Sequence, residues 1–469
     1  MTSTTSEPTG QRPGVHPLRW RILGFLGVAQ LMLILDVTVV AIALPHIETD
    51  LGLSRQAVTW TVSAYTLTFG GLMLLGGRLA DLLGAKRVVL AGLLVFTLAS
   101  LATGIADAAD SPGLLLGGRI AQGVGAALLS PSALSLVVGL FDGEERNKAL
   151  GVWSALGGGG AALGVLLGGV LTSGPGWPWV FYVNVPIGLV ILVALARLLP
   201  HQRTASDRPR LDVPGAVLVT ASSVALIYAF IRAGDHGWLT AATGTLVLAA
   251  VVGYAAFAVW QKTVRSPLMN VALLVRRPVA TGTFLIVMAT ALMIAVFFLG
   301  TFYFQHAEDY GALRTGLLFL PVAVATMLAA HLTGGAVATV GTRPLAVGGL
   351  LVAAIGMAVP AVSLHPVSVT VGTAIAGAGT GALFVVASAT ALGQVAPHES
   401  GIASGIVSTF HEFGASVGAA VISSAAAASL AGETLTGFTD GFVLAAVAAT
   451  AAALIAAIIT PGRPRTEAQ

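Results

Sequence analysis

Fourteen apolar runs, each near the length of a bilayer-crossing helix and separated by short polar segments, dominate this chain of 469 residues. They fall at about 20–43, 57–77, 88–107, 114–138, 148–171, 179–199, 214–233, 241–260, 280–304, 316–338, 344–362, 367–391, 401–427 and 440–460. A helix needs about 20 consecutive, mostly apolar residues to span hydrocarbon, where only helices and closed barrels satisfy their own backbone. The expected fold class is therefore an all-α polytopic membrane protein with fourteen transmembrane helices. Only 9% of residues are charged and the mean hydropathy is +0.91, far from the roughly 25% charged residues of soluble domains. The first run contains Asp36 and is too long for a signal peptide, so it reads as a retained span.

Charge sets the expected orientation. Of the 23 Lys and Arg, all but Arg55, Arg232, Arg314 and Arg119 fall on the side that holds both termini. By the positive-inside rule that side is the cytoplasm. The Ala, Gly and Val bias points to a bacterial cell membrane as its location. Clusters such as "GAKR" (84–87) and "HQRTASDRPR" (201–210) mark the cytoplasmic loops.

An internal repeat divides the spans. Shifting the chain by 254 residues superposes Glu145 on Glu399, Gly160 on Gly414 and Gly164 on Gly418. A nearby shift lays "RIAQGVGAAL" (119–128) on "AIAGAGTGAL" (374–383). Spans 5 and 13, and spans 4 and 12, are thus copies, and spans 7 and 8 are left as an inserted pair. Duplicated six-span halves place a substrate site between them near the midplane, and rocking of the halves gives alternating access.

Two acidic residues sit well inside apolar runs, Asp36 and Glu412, and Arg119 is the one base there. Intramembrane ionisable groups are costly, and they usually face a protein interior or a water-filled path. A carboxyl in apolar surroundings is favoured neutral by desolvation and ionised by a nearby base, an opposition that suits a proton carrier. A static Asp36–Arg119 pair that only fixes packing is the structural alternative. Gln122, one turn from Arg119, is expected in the same polar network. Glu412 has Gly158 as its repeat counterpart, so its carboxyl belongs to one half only; the adjacent His411 could share its proton, since His titrates near neutral pH. A protonated Glu412 bonded across a helix interface is the alternative. His331 is a weaker candidate.

The motifs follow in order. "LDVTVVAIALP" (35–45), Trp60 with Ala64 and Tyr65, "GRLADLLGAKR" (77–87), "RIAQGVGAA" (119–127), the glycines Gly160, Gly164, Gly168 and Gly169, and "WPWVFYVNVPIG" (177–188) together resemble the 14-span drug/proton antiporter family of the major facilitator superfamily. Departures are Ala41 for a common Asn, Leu82 and Ala85 where bases are usual, Val165 for a proline after Gly164, and Pro178 for an Arg.

The resemblance implies the major facilitator fold, two six-helix halves plus two inserted helices. The expected layout is a disordered cytoplasmic N-terminus at 1–18, a first half at 19–200, a linker with two helices at 201–279, a second half at 280–461 and a cytoplasmic tail at 462–469. It implies a multidrug exporter that trades protons for bulky lipophilic compounds such as antibiotics, with proton coupling at Asp36, Arg119 and Glu412. Expected cavity residues are Asp36, Tyr65, Gln122, Phe298, Tyr303, His411 and Glu412. Gly77, Asp81, Gly84, Lys86 and Arg87 would form a gating latch, one-sided because the second copy, "GGAVATVGTRP" (334–344), has Thr339 near the place of the acid. The four span-5 glycines would provide close helix packing.

Other engines find no residues. With no cysteine there are no disulfides or thiolate metal sites, and G-x-x-x-x-G-K-[ST], H-E-x-x-H and G-x-S-x-G are all missing. An enzyme, a metal, a cofactor and a nucleic-acid partner are accordingly not expected. The expected partners are a lipophilic small molecule, protons and the bilayer, with the protein a monomer. A metabolite facilitator of the same fold is the second transport reading, and a non-transporting membrane protein is disfavoured.

Overall fold

The computed structural model describes residues 17–141, 143–199, 211–269, 271–392, 400–430 and 434–461. Residues 1–16 of the expected disordered N-terminus, the "HQRTASDRPR" cluster at 201–210 and the whole expected tail at 462–469 lie outside these residues.

The first half comprises α1 (Arg19–Asp50), α2 (Arg55–Leu83), α3 (Ala85–Ile105), α4 (Pro112–Leu140), α5 (Gly143–Ser173), the short α6 (Trp179–Tyr182) and α7 (Asn184–Leu198). Next come α8 (Val213–His236), α9 (Ala241–Thr263) and the short α10 (Val271–Leu274). The second half holds α11 (Arg277–Phe302) with a π-helical end (Tyr303–Ala307), α12 (Ala312–Leu318), α13 (Leu320–Val340), α14 (Thr342–Val362), α15 (Pro366–Leu392), α16 (Ser400–Ala425), α17 (Ala427–Leu430) and α18 (Thr436–Ile459). Among the described residues 13 helical stretches are long and apolar enough to cross a membrane, and α5, with its apolar Leu163–Ser173, makes the fourteenth passage. An even number of passages brings both ends of the chain to one face, here called the terminal face; the opposite one is the distal face.

Several boundaries differ from the hydropathy reading. α1 continues through Pro45 to Asp50, since its distal end is buried in protein, where a mid-helix proline is tolerated. The sixth passage is split between α6 and α7 and the tenth between α12 and α13. Helix starts follow local chemistry: the side chains of Ser54, Ser111, Asp212 and Thr240 accept from backbone N–H groups in the first turns of α2, α4, α8 and α9. Asp212 also accepts from Trp260 (2.8 Å) and Gln261 (2.5 Å), which pins α8 to α9.

The repeat is visible in the packing. Gly92 of α3 and Gly125 of α4 let the two backbones touch, and Gly349 of α14 and Gly379 of α15 do the same in the second half. Gly84 (φ 89°) and Gly341 (φ 91°) form the equivalent tight turns of the two copies, in a region of backbone space that side chains rarely enter.

The polar ties between the halves lie in the distal half of the molecule. Gln305 donates to Ile42 O (2.9 Å), Leu313 N donates to Ser173 Oγ (2.9 Å), and Glu48 stands 3.7 Å from His306. Along the α2–α16 seam the hydroxyl pairs Thr59–Ser423 and Thr66–Ser416 are both 2.6 Å apart. Arg55 knots α2, α8 and α16 together, donating to Asp235 (2.5 Å), Ile231 O (2.8 Å) and Ser423 (2.9 Å). At the terminal face, hydrogen bonds among the described residues stay within one half, or run from Arg78 of α2 to Pro267 O beside the inserted pair. Among the described residues the ties between the halves therefore close the distal face.

One terminal-face tie is pH-dependent. Arg19 grips Glu145 with two hydrogen bonds of 3.0 and 2.8 Å, and that contact holds the Glu145 carboxyl below its ordinary range. A depressed carboxyl contributes stability above its unfolded value and loses it as pH falls through the folded one. Acidification is therefore expected to loosen α5 from α1, and Glu145→Gln to loosen it already at neutral pH. Amide hydrogen exchange at residues 19–23, compared between the two proteins, checks this.

Candidate functional site

Asp36 sits midway along α1 and is sealed within the first half, its side chain 0% exposed and that of its partner Arg119 1%. Arg119 Nη1 donates to Asp36 Oδ2 and, at 2.9 Å, to Gln122 Oε1. Its Nε donates to Thr61 O of α2 (2.9 Å). Gln122 Nε2 donates to Asp36 Oδ1 (3.0 Å) and to Ser100 of α3 (2.9 Å), and Asn184 of α7 donates to Asp36 Oδ1 (3.4 Å). The guanidinium lies 4.4 Å from the Tyr65 ring centroid, a contact that desolvation strengthens. Three passages of one half thus meet at a single carboxyl, and two more join through Arg119 and Gln122.

The expected meeting of Asp36, Arg119 and Gln122 is found. Asn184 was missed, and its signal was a lone amide inside the apolar "WVFYVNVPIG". Tyr65 is fully buried between this cluster and Glu412, within electrostatic reach of both carboxyls. Its hydroxyl donates to Leu33 O at 3.4 Å.

Glu412 lies on α16, where it enters the interface between the halves. Its Cβ occupies the space left open by Gly70 of α2: a Cβ built on that glycine would stand 2.7 Å away. His411 turns elsewhere, with Nδ1 3.2 Å from Thr290 of α11 and its ring 5.6 Å from that of Phe384. The expected sharing of a proton between His411 and Glu412 is corrected on this point, because consecutive residues on a helix do not face each other.

Other cavity expectations also change. Asp36, Tyr65, Gln122, Phe298 and Tyr303 are buried in packed protein rather than facing open space. Phe298 stacks near Phe302 (4.8 Å), and Tyr303 packs edge-on to Phe438 (5.9 Å) and donates to Glu308 (2.5 Å). Both belong to the aromatic packing of the distal seal. The expected latch is likewise not assembled here. Asp81 and Arg87 are exposed, Gly77 and Gly84 sit at the same helix end, and Lys86 donates to Ala196 O (3.0 Å) and Leu199 O, capping α7. The glycine ladder divides its work: Gly160, Gly164 and Gly168 pack against α1 of their own half, and only Gly169 meets α12 of the other.

Similar proteins agree with this architecture. The chain is 40% identical over 424 residues to the puromycin resistance protein pur8 of Streptomyces alboniger, covering 87% of this chain and 82% of that one. It is 35% identical to the cephamycin export protein CmcT of Amycolatopsis lactamdurans, covering 88% and 87%. A mutant peptide transporter POT solved with alafosfalin has the same fold, with a TM-score of 0.68, 18% identity and 96% coverage of both chains. The profile described as Major Facilitator Superfamily matches residues 26–419, and with the duplicated halves and buried charge cluster already in view, the chain is a multi-pass transporter that belongs to the major facilitator superfamily.

Proposed function

We propose that this transporter is a proton-coupled exporter of bulky, partly lipophilic compounds of the antibiotic kind, working in a bacterial cell membrane with both termini in the cytoplasm. The sealed Asp36–Arg119 pair carries this reading. Protonating Asp36 would leave Arg119 as an uncompensated buried cation, so proton binding cannot be neutral to the packing of α1, α2, α4 and α7. The Tyr65 face offers the guanidinium an alternative contact during that change. Relatives named for puromycin resistance and cephamycin export support the direction of transport and the class of cargo. With the termini in the cytoplasm, the ties at the distal face close the outer side of the molecule, in keeping with cargo loading from inside. Glu412, set into the interface between the halves, serves as the second proton or cation site.

Puromycin uptake into inside-out vesicles is the test. Uphill transport is expected to need an imposed pH gradient and to collapse with an uncoupler. Asp36→Asn is expected to lose it while retaining downhill exchange, and Glu412→Gln to weaken it. Uphill transport by Asp36→Asn that ignores the uncoupler would sink the proposal.

A further inference from the structure

A cavity of about 400 Å³ lies outside the buried charge cluster, between the inserted pair and the α2–α16 seam. Leu67 of α2, Leu226 of α8, Phe257 of α9, Met269 and, on α16, Phe410 and Phe413 form its walls. The size falls in the range of small-molecule pockets. None of its lining residues is charged. It reaches from the middle of α2 to the α9–α10 connection at the terminal face, so it lies in the leaflet on that side.

Two hydroxyls show what the walls lack. Thr409 is one of the lining residues, and Thr220 lies beside the cavity against Gly71; the Oγ1 atoms of both are shielded from solvent and have no hydrogen-bond partner. A buried polar group without a partner is costly. By contrast, the nearby Ser223 and Tyr254 hydroxyls satisfy each other at 2.8 Å. The edge-on aromatic pairs Tyr254–Phe413 and Phe410–Phe413 add flat apolar surface.

We propose that this cavity is a lateral binding site for a neutral lipophilic molecule carrying a hydrogen-bond acceptor, taken up from the bilayer leaflet on the terminal side. The apolar walls exclude a charged guest, and the free Thr409 hydroxyl, on turning about its χ1 bond into the cavity, would select for an acceptor such as a carbonyl. Gly70 lines the cavity and also accommodates Glu412, so a guest here sits against the seam between the halves. The inference rests on the export reading insofar as it gives lipophilic cargo a route in that bypasses the aqueous phase.

The probe is benzophenone, a neutral photoreactive diaryl ketone, applied to the full-length protein in liposomes of phosphatidylethanolamine and phosphatidylglycerol. A parallel arm carries phosphatidylglycerol with a diazirine in its acyl chain. Mass spectrometry is expected to map benzophenone adducts to residues 409–413 and Tyr254. Ala258→Phe and Leu226→Phe fill the cavity from the peripheral helices and should cut those adducts by about tenfold. Thr409→Val, which loses one hydrogen bond, should cut them about fivefold. Two filling variants, each checked for monodisperse elution, guard against misfolding of one. Unchanged benzophenone labelling in the filled variants overturns the proposal, as does labelling of these residues by the lipid diazirine alone. Labelling lost on filling, with no uphill export in any protein, keeps the site and removes the export reading; export with labelling indifferent to filling does the reverse.

Discussion

Arg119→Ala is expected to destabilise the protein by about 3–5 kcal/mol, the usual penalty for leaving one member of a buried ion pair without its partner. The side chain removed is 1% exposed and supplies the only cation in contact with Asp36 among the described residues. Its loss also frees Gln122 Oε1, and that orphaned acceptor adds its own desolvation cost. Arg119→Lys should recover little, since a lysine amine lacks the planar fork that reaches Thr61, Asp36 and Gln122 at once. The double variant Asp36→Asn with Arg119→Gln removes both charges and should regain most of the stability, because neutral replacement of a buried pair is often tolerated. It should regain none of the pH-driven transport. Thermal unfolding in detergent, read beside transport in vesicles, separates the two effects. If the double variant still transports uphill, the pair serves packing alone.

Gly316→Val is expected to open the distal seal. A Cβ at this position would lie 2.5 Å from Val165 O, a backbone atom of the opposite half. Overpacking of this kind costs about 1–3 kcal/mol, and because the strain exists only while α5 and α12 are in contact, it shifts the populations of the two access states by about 5- to 150-fold. The chain has no cysteine, so Gln305→Cys provides a single reporter beside the α1 contact. Its labelling by a membrane-impermeant maleimide from the distal side should accelerate by that factor in the Gly316→Val background. An unchanged rate would mean that this seam does not move during transport.

The sequence disclosed the features that belong to one helix at a time. Bilayer-length runs located the passages, and the 254-residue repeat marked α5 and α16 as copies of one helix. Asp36, Arg119 and Gln122 stood out because charge and amide are rare in apolar runs. What stayed hidden depends on helix rotation. His411 and Glu412 are neighbours in the chain yet point into different interfaces, and Phe298 and Tyr303 resemble cavity aromatics until the distal seal is seen to absorb them. Asn184 was overlooked because its partner, Asp36, is far away in sequence and on another helix. The lateral cavity could not be read at all, since its walls come from five separate segments.

The α2–α16 seam holds a final consequence. Three of the hydroxyls that cross it also reach a carbonyl on their own helix: Thr59 to Arg55 O (3.0 Å), Thr66 to Val62 O (3.2 Å) and Ser416 to Glu412 O (3.3 Å). When the helices part, these groups need no water to replace the bond they lose. At these three positions the seam behaves like a reusable fastener, able to open and close in a dry environment at little cost in lost hydrogen bonds.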